Sequence, residues 1–337
     1  MPIYEHTAKF PFSRQTVWDW HARPGAVRRI MPDWEGIRPV EVGGIKDGAI
    51  TSFRMSIGII PQRWIAKHHS YIEGEQFCDD MVKGPFGRWN HTHKFIEGDD
   101  SEMQIEDRID WKLPFHFFTR IGAPIMVMPR VRQMFKHRSR RILADLSRQQ
   151  MFKDAPRKRI LISGSTGLIG TQLGAFLETD GHDVHRLVRP TTRLHADQDP
   201  TKVVKWDDRS GEIIEGSLEN FDVVIHLAGA GIGDKRWSKK RKKLISESRE
   251  IPTRNLSNAL AGLQSPPSLF MCASAVGFYD NRGDEELDEN SSIGDGFLAK
   301  ICKKWEDATE PATNAGIRTI FMRTGIVTTA AGGMLQQ

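Results

Sequence analysis

The chain has 337 residues, of which 39% are hydrophobic, and its formal net charge is +5 at pH 7. This length exceeds the usual size of a single hydrophobic core and predicts two domains. No apolar stretch reaches membrane-spanning length and the N-terminus lacks a signal-peptide pattern, so we expect a cytoplasmic protein without a membrane partner. The three cysteines are widely spaced and odd in number, which predicts reduced, partly buried thiols rather than disulfides or a CxxC metal site.

The first part of the chain is predicted to be an α+β domain. Short runs of alternating hydrophobicity indicate antiparallel strands, with turn signals at residues 46–48, 73–75 and 98–100. The predicted strands include Ala49–Ile57, Arg63–Ile72, Trp89–Glu97 and Met103–Leu113. A long amphipathic segment after Pro124 predicts a helix that closes the sheet. Its apolar face carries Val131, Phe135, Ile142 and Leu146.

Aromatic and histidine residues of this part are candidates for a binding site. Six of the nine tryptophans lie here and suit either a cavity for a hydrophobic ligand or an ordinary core. They are Trp18, Trp20, Trp34, Trp64, Trp89 and Trp111. His91 and His93 share a strand face and could be metal ligands. With no third ligand evident, we expect exposed or hydrogen-bonded histidines and no metal site.

A βαβ unit follows a polar stretch at residues 147–158, which marks the predicted boundary between domains 1–152 and 157–337. The pattern predicts a strand over Arg159–Ser163, a helix over Leu168–Leu177 and a second strand over Asp183–Val188. The turn between the first strand and the helix carries glycines at positions 164, 167 and 170.

This glycine spacing is typical of a dinucleotide-phosphate site. Gly164 permits a sharp exit from the strand, Gly167 lets the backbone approach a diphosphate, and Gly170 lets the helix pack close to the sheet. The helix N-terminus adds free N–H donors and a partial positive charge. The predicted phosphate-binding residues are Gly164, Ser165, Thr166, Gly167, Leu168, Ile169 and Gly170.

The end of the second predicted strand bears on the choice of coenzyme. NAD sites place a carboxylate here, whereas this chain reads HRLVRP. Arg189, supported by Arg186, would contact a 2′-phosphate through charge-assisted hydrogen bonds, which favours NADP (NADPH). The alternative is that these arginines only solvate the end of a strand. The basic run KKRKK at 239–243 lacks interleaved aromatic residues, so we expect no nucleic-acid partner.

The first part, from Pro11 to about Gln150, resembles the START-like helix-grip fold of the polyketide cyclase/dehydrase group. The resemblance is carried by an opening strand, the segment PFSRQTVWDWHARPGAVRRIMPDW as paired short helices, the strand series and the last helix. It implies a curved sheet around a long helix and a cavity for a hydrophobic ligand.

From Arg159 onward the chain resembles the extended and atypical short-chain dehydrogenase/reductase superfamily, which has a doubly wound parallel Rossmann sheet. FDVVIHLAG resembles its fourth strand, with Leu227, Ala228 and Gly229 along the cofactor, and VVKWDD its third strand. The third strand includes Trp206 and ends at Asp207, placed to contact adenine. DKRWSKKRKKLISESREIPTRNLSNAL, CASAVGFYD, GFLAKICKKWE and RTGIV resemble the epimerase-like branch labelled nucleoside-diphosphate-sugar epimerases. Family members continue into a C-terminal substrate lobe, so the resemblance implies a truncated chain.

The catalytic residues of the superfamily are only partly present. Ser274 matches the serine that polarises a substrate oxygen, but the expected Tyr-x-x-x-Lys pair is missing. The helix GFLAKICKKWE has Phe297 or Leu298 where tyrosine belongs, and Ile301 or Cys302 where lysine belongs. Tyr279 could substitute as the acid, with Lys300 or Lys303 nearby, or could simply pack over the nicotinamide side.

Three functional hypotheses follow. The first is an NADP-dependent oxidoreductase or epimerase acting on a small carbonyl, sugar-nucleotide or polyketide-like substrate. The second is a non-catalytic NADPH-binding sensor. The third is a carrier of a lipid or aromatic metabolite, centred on the N-terminal domain.

Overall fold

The computed structural model describes residues 3–57, 60–98, 102–114, 123–329 and 331–333. Asp99 and Asp100 of the third predicted turn lie outside the described residues. The chain forms two compact units. The first comprises Met1–Ala155 with Ala175–Gly181 and His195–Gln198, and the second comprises the remaining residues from Pro156 onwards.

The first unit contains a seven-stranded antiparallel sheet with the strand order β1-β7-β6-β5-β4-β3-β2. Its strands are β1 (Ile3–Phe10), β2 (Arg38–Val42), β3 (Ile50–Ile57), β4 (Ile60–Ile72), β5 (Gln76–Lys83), β6 (Arg88–Glu97) and β7 (Met103–Lys112). The four predicted strands of this region are confirmed within three residues at their ends. The predicted opening strand corresponds to β1, which pairs with β7.

Helices of the first unit precede and follow the sheet. They are α1 (Arg14–Ala22), α2 (Ala26–Ile30), a 3₁₀ turn at Asp33–Glu35, and α3 (Ala123–Gln150). Ser13 caps α1, because its hydroxyl accepts a hydrogen bond from the backbone N–H of Thr16 at 3.3 Å. The predicted apolar face of α3 is confirmed, since Val131, Phe135, Ile142 and Leu146 are all buried.

The tryptophans of the first unit are mostly part of a packed core. Trp18, Trp20 and Trp111 are at most 2% exposed. Trp18 makes edge-to-face contact with Phe95 at a ring-centroid distance of 5.0 Å. Such contacts add to the stabilisation from apolar burial. Trp34 differs, since it is 43% exposed.

The second unit contains a seven-stranded sheet with the order β11-β10-β9-β8-β12-β13-β14. All neighbouring strands are parallel except β10 and β11, which are antiparallel. The strands are β8 (Arg159–Ser163), β9 (Asp183–Val188), β10 (Val203–Trp206), β11 (Ile213–Glu215), β12 (Val223–His226), β13 (Leu269–Ala275) and β14 (Arg318–Thr324). This is the Rossmann-like sheet that the sequence predicts.

β9 and β10 are joined without a helix, whereas β8 and β9, β12 and β13, and β13 and β14 are joined by helices. The helices are α4 (Leu168–Thr179), α5 (Lys239–Ala261), α6 (Phe297–Asp307) and α7 (Glu310–Asn314), with a 3₁₀ turn at Val276–Phe278 and a small hairpin of β15 (Thr328–Thr329) and β16 (Gly332–Gly333). The strand order changes direction at β8, which lies between β9 and β12. In doubly wound sheets, ligands bind beyond the carboxyl ends of the strands at such a point.

All three cysteines are free and buried. In the parts of the chain that the structure describes, no helix has the length and apolar character that a membrane span requires.

Candidate functional site

The turn after β8 is held in shape by close approach of backbone. Gly164 has φ +70°, and a Cβ there would lie 2.8 Å from the carbonyl carbon of Leu227. A Cβ on Gly170 would lie 2.8 Å from the Cα of Ser165. The constraint on Gly170 therefore comes from the turn itself, rather than from the sheet as the spacing predicts. Near Gly167, the described residues beyond its chain neighbours place the carbonyl oxygen of Gly164 at 3.2 Å from the Cβ position.

A cleft of about 500 Å³ opens beside this turn. Its walls come from the segments that follow β8, β9, β10 and β12, at the edge where the strand order reverses. Nine of the predicted cofactor residues line it: Gly164, Ser165, Thr166, Gly167, Arg189, Trp206, Leu227, Ala228 and Gly229. Residues that are far apart in sequence thus meet around one cavity.

Five predicted residues do not line the cleft. Leu168, Ile169 and Gly170 form the first turn of α4 and are not among the residues that line the cavity. Arg186 is 2% exposed within β9 and is therefore not available at the cleft surface. Asp207 accepts hydrogen bonds from the backbone N–H groups of Arg209 and Ser210 at 2.8 and 3.2 Å. Its carboxylate thus closes a turn, and the neighbouring Asp208 and Arg209 line the cleft instead.

One wall of the cleft is a face of α5 that motif reading missed. Leu244, Glu247, Ser248 and Ile251 recur at helical spacing and line the cavity together with Pro252. The sequence did contain an indication of this helix face, because these residues lie three and four positions apart. Ser248 also holds the loop after β12, because its hydroxyl accepts from the backbone N–H of Ala230 at 3.1 Å. Arg249 donates to the carbonyl oxygen of Ala230 at 3.0 Å.

A buried histidine lies at the end of β12. Its Nδ1 is 2.6 Å from the hydroxyl of Ser163, which lines the cleft. Burial lowers the pKa of His226 to about 4, so the imidazole is neutral near pH 7.

The two predicted catalytic residues belong to a second polar group, one strand further along the sheet. Ser274 donates to Glu306 at 2.6 Å. Arg323, which lies opposite Ser274 on β14, donates to both carboxylate oxygens of Glu306 at 3.0 and 2.9 Å and to the hydroxyl of Tyr279 at 2.8 Å. Hydrogen bonding to Glu306 raises the pKa of Arg323. Neither Ser274 nor Tyr279 lines the cleft.

The cation beside Tyr279 is an arginine and not the lysine that the sequence suggested. Lys303 is paired with Asp307 at 2.8 Å on the exposed side of α6. Arg323 also stacks over the ring of Phe278, at 3.6 Å from the ring centroid. The charged partner of Tyr279 thus comes from β14, which no tyrosine–lysine spacing could have indicated.

Comparisons with known proteins agree with this architecture. The sequence model of the NAD dependent epimerase/dehydratase family matches residues 160–297. The crystal structure of a nucleoside-diphosphate sugar epimerase from Corynebacterium glutamicum matches all of this chain and 68% of that protein, with 33% identity and a TM-score of 0.80. The chain belongs to the NAD-dependent epimerase/dehydratase family.

Relatives that match part of the chain fit the same family. An epimerase family protein of Mycobacterium bovis is 42% identical over 178 residues, which is 53% of this chain and 56% of that protein. The epimerase family protein YfhF of Bacillus subtilis is 31% identical over 176 residues, which is 52% of this chain and 57% of that protein. This chain therefore spans little more than half the length of these relatives.

Proposed function

We propose that the second unit binds NADP and acts as an NADP-dependent oxidoreductase or epimerase-like enzyme. The proposed substrate is a small carbonyl or sugar-nucleotide-type compound. The observation that carries this proposal is the cleft, in which the turn Gly164–Gly167 and Arg189 line one cavity. Main-chain N–H groups at the start of α4 would bind the diphosphate. Arg189 would pair with the 2′-phosphate, since a guanidinium donates two aligned hydrogen bonds to such an oxyanion.

The proton donor that we propose is Tyr279. Arg323 supplies positive charge at its phenolic oxygen, as the lysine does in the usual tyrosine–lysine pair. Ser274 has a single hydroxyl proton, and it is donated to Glu306. While that bond persists, Ser274 can only accept a hydrogen bond from a substrate. We therefore assign proton exchange with the substrate oxygen to Tyr279 and a positioning role to Ser274.

A specific observation favours a second candidate, a non-catalytic NADPH-binding sensor. Tyr279 is only 9% exposed, and Arg323 already contacts its hydroxyl. Ser274 is 4% exposed. A group of this kind can stabilise the carboxyl ends of β13 and β14 without touching a substrate.

Two measurements on one sample separate these candidates. Isothermal titration calorimetry gives the affinity for NADPH and NADH, and absorbance at the reduced nicotinamide band follows coenzyme oxidation with a panel of carbonyl compounds and nucleotide sugars. We expect NADPH binding together with turnover of at least one substrate class. Because an epimerase returns its hydride and causes no net coenzyme oxidation, epimerised products of the same panel are measured by NMR. Binding with neither coenzyme oxidation nor epimerised product would favour the sensor, and no binding of either coenzyme would refute both.

Tyr279→Phe tests the assignment of the proton donor. It removes one oxygen and keeps the ring that packs against Phe278 at a centroid distance of 5.3 Å. We expect NADPH affinity to be retained and turnover to fall by about 10²–10⁴-fold, the usual contribution of a general acid. Tyr71→Phe is the matched control, because Tyr71 lies in the first unit. Unchanged turnover in Tyr279→Phe would exclude Tyr279 as the donor.

For the first unit we propose a START-like helix-grip domain that binds a hydrophobic ligand. Support comes from the antiparallel sheet and from the 28-residue helix α3, whose apolar face is buried. Because Trp18 belongs to a cluster of buried hydrophobic residues, the ligand that we propose is small. Native mass spectrometry of the whole chain, with lipid and aromatic compounds added, tests the proposal. Absence of any apolar adduct would contradict it.

A further inference from the structure

A cluster of ionisable side chains lies on one face of the antiparallel sheet of the first unit. It comprises Asp79 on β5 and His91 and His93 on β6, and we refer to it as the Asp79–His91–His93 cluster. Asp79 is directly opposite His91 in the strand register, and His93 is directly opposite Asp107 on β7. The sequence suggested the two histidines as candidate ligands but no third. Strand pairing supplies the third from a separate strand.

The two ring nitrogens of each histidine face different carboxylates, one that of Asp107 and the other that of Asp79. Towards Asp107, the distances from His91 Nε2 and His93 Nδ1 to Oδ1 are 3.1 and 2.6 Å, which are hydrogen-bond lengths. Towards Asp79, the distances from His91 Nδ1 and His93 Nε2 to Oδ2 are 3.6 and 3.2 Å. The first of these is too long for a hydrogen bond. The Asp79 side is therefore more open than the Asp107 side.

These longer distances are close to the spacing between neighbouring ligand atoms around a bound metal ion. Ligand bonds to zinc of about 2.0–2.1 Å in tetrahedral geometry place neighbouring donor atoms about 3.3–3.4 Å apart. The distances from Asp79 Oδ2 to His93 Nε2 and to His91 Nδ1 lie on either side of this value, at 3.2 and 3.6 Å. The three donor atoms all lie within 4.8 Å of one another. One ion can therefore contact all three after small side-chain rotations.

Asp107 occupies the place of an outer-shell partner. Metal-bound histidines usually donate their other ring N–H to a carboxylate, which sets the tautomer and the ring orientation. Asp107 is 3% exposed and accepts from both rings, and its charge is balanced by Arg138 at 2.9 Å. Phe77 stacks on His93 at a centroid distance of 4.3 Å and further restricts that ring. In the described part of the chain, the ion pairs of Asp79 are those with the two histidines.

We propose that Asp79, His91 and His93 bind a divalent first-row transition-metal ion of the zinc class, with Asp107 orienting both imidazoles. Two imidazoles and one carboxylate suit zinc or ferrous iron, whereas magnesium and calcium prefer oxygen ligands alone. Three protein ligands leave a position for water or a small ligand. The side chains of Asp79 and His91 keep 16% and 11% of their surface exposed, which gives an ion a path of entry.

Metal titration of the full chain, prepared without a histidine tag and treated with chelator, tests the proposal. We expect one Zn²⁺ per chain by calorimetry, retained in excess Mg²⁺ and Ca²⁺. Co²⁺ should give the intense visible absorption of a tetrahedral site. Asp79→Asn and His91→Asn should each weaken Zn²⁺ binding by about 100-fold or more, beyond the 10–100-fold typical of outer-shell changes.

His69→Asn is the matched control, because His69 faces a carboxylate, Asp80 at 3.2 Å, without a second histidine at that carboxylate. Its Zn²⁺ affinity should equal that of the unsubstituted chain. Equal affinities in Asp79→Asn and the unsubstituted chain would overturn the proposal, as would a folded chain that binds no Zn²⁺. If either variant fails to fold, the Co²⁺ spectrum of the unsubstituted chain decides, since its absence also overturns the proposal.

Discussion

The candidate cleft and the Asp79–His91–His93 cluster bring polar groups together by opposite means. The cleft uses main-chain groups of one continuous turn and the loops that follow parallel strands. The cluster uses side chains of antiparallel strands, with pairs 14 residues apart in sequence. Parallel sheets gather loops at one edge, whereas antiparallel sheets align side chains on one face. A site of the first kind leaves a local sequence pattern, and a site of the second kind does not.

The largest expected effect tests the charged network of the antiparallel sheet. Asp107→Asn removes the carboxylate that contacts His91, His93 and Arg138. We expect the free energy of unfolding to fall by about 3–5 kcal/mol, since a buried guanidinium loses its partner. Urea unfolding in chelator measures this, followed by tryptophan fluorescence because most tryptophans lie in the first unit.

Glu5→Gln is the control for this network. The pair of Glu5 with Arg108 is exposed, with 65% and 57% of the two side-chain surfaces accessible. Such pairs contribute at most about 1 kcal/mol. If Asp107→Asn costs no more than Glu5→Gln, the network does not stabilise the sheet.

The next prediction tests whether main-chain groups of the cleft bind the diphosphate. Gly167→Leu should weaken NADPH and NADH binding at least about 100-fold, because a side chain would occupy the diphosphate position. Gly174→Ala, further along α4, is the control, since its Cβ would lie 4.0 Å from the nearest atoms. Calorimetry measures binding and circular dichroism checks folding. Retained affinity in Gly167→Leu would show that the turn does not hold a diphosphate.

The strands and helices that the sequence predicted from local periodicity and turn residues are confirmed, whereas strands such as β2 and β5 were not predicted. The βαβ unit is confirmed at β8 and β9 to the residue. The predicted role of Arg186 in support of Arg189 stays a prediction, and its burial within β9 could not be read from strand alternation, which does not reveal which face the helices cover. Asp79 and Arg323 were missed because each acquires its partners from another strand. The register of the strands determines which side chains of different strands lie opposite one another, and a single sequence specifies that register only weakly.

A smaller loss of coenzyme affinity is expected for the residue that we propose selects NADPH over NADH. Arg189→Ala should weaken NADPH binding by about 1–3 kcal/mol and leave NADH binding nearly unchanged, because only NADPH carries the 2′-phosphate. Arg193→Ala is the control, as Arg193 is exposed and outside the cleft lining. Equal losses for both coenzymes in Arg189→Ala would show that the arginine does not contact the 2′-phosphate.

The last prediction concerns pH dependence in the parallel sheet. The folded-state pKa of His226 is about 4, below its ordinary value of 6.5, so the unfolded chain binds more protons between these values. The free energy of unfolding therefore falls as pH decreases from 6.5 to 4, by about 1.4 kcal/mol per pH unit for this group. His226→Asn should remove that part of the slope. Unfolding titrations at several pH values compare this variant with the unsubstituted chain, and an unchanged slope in His226→Asn would contradict the assignment.

The two ends of the cleft differ in composition, and this difference has a practical consequence for redesign. Its glycine end has few side chains to exchange, so substitutions there chiefly destroy coenzyme binding. Its Arg189 end is made of replaceable side chains. The proposed preference for NADPH can therefore be changed by substitutions at and near Arg189, while the glycine-rich turn is left unchanged.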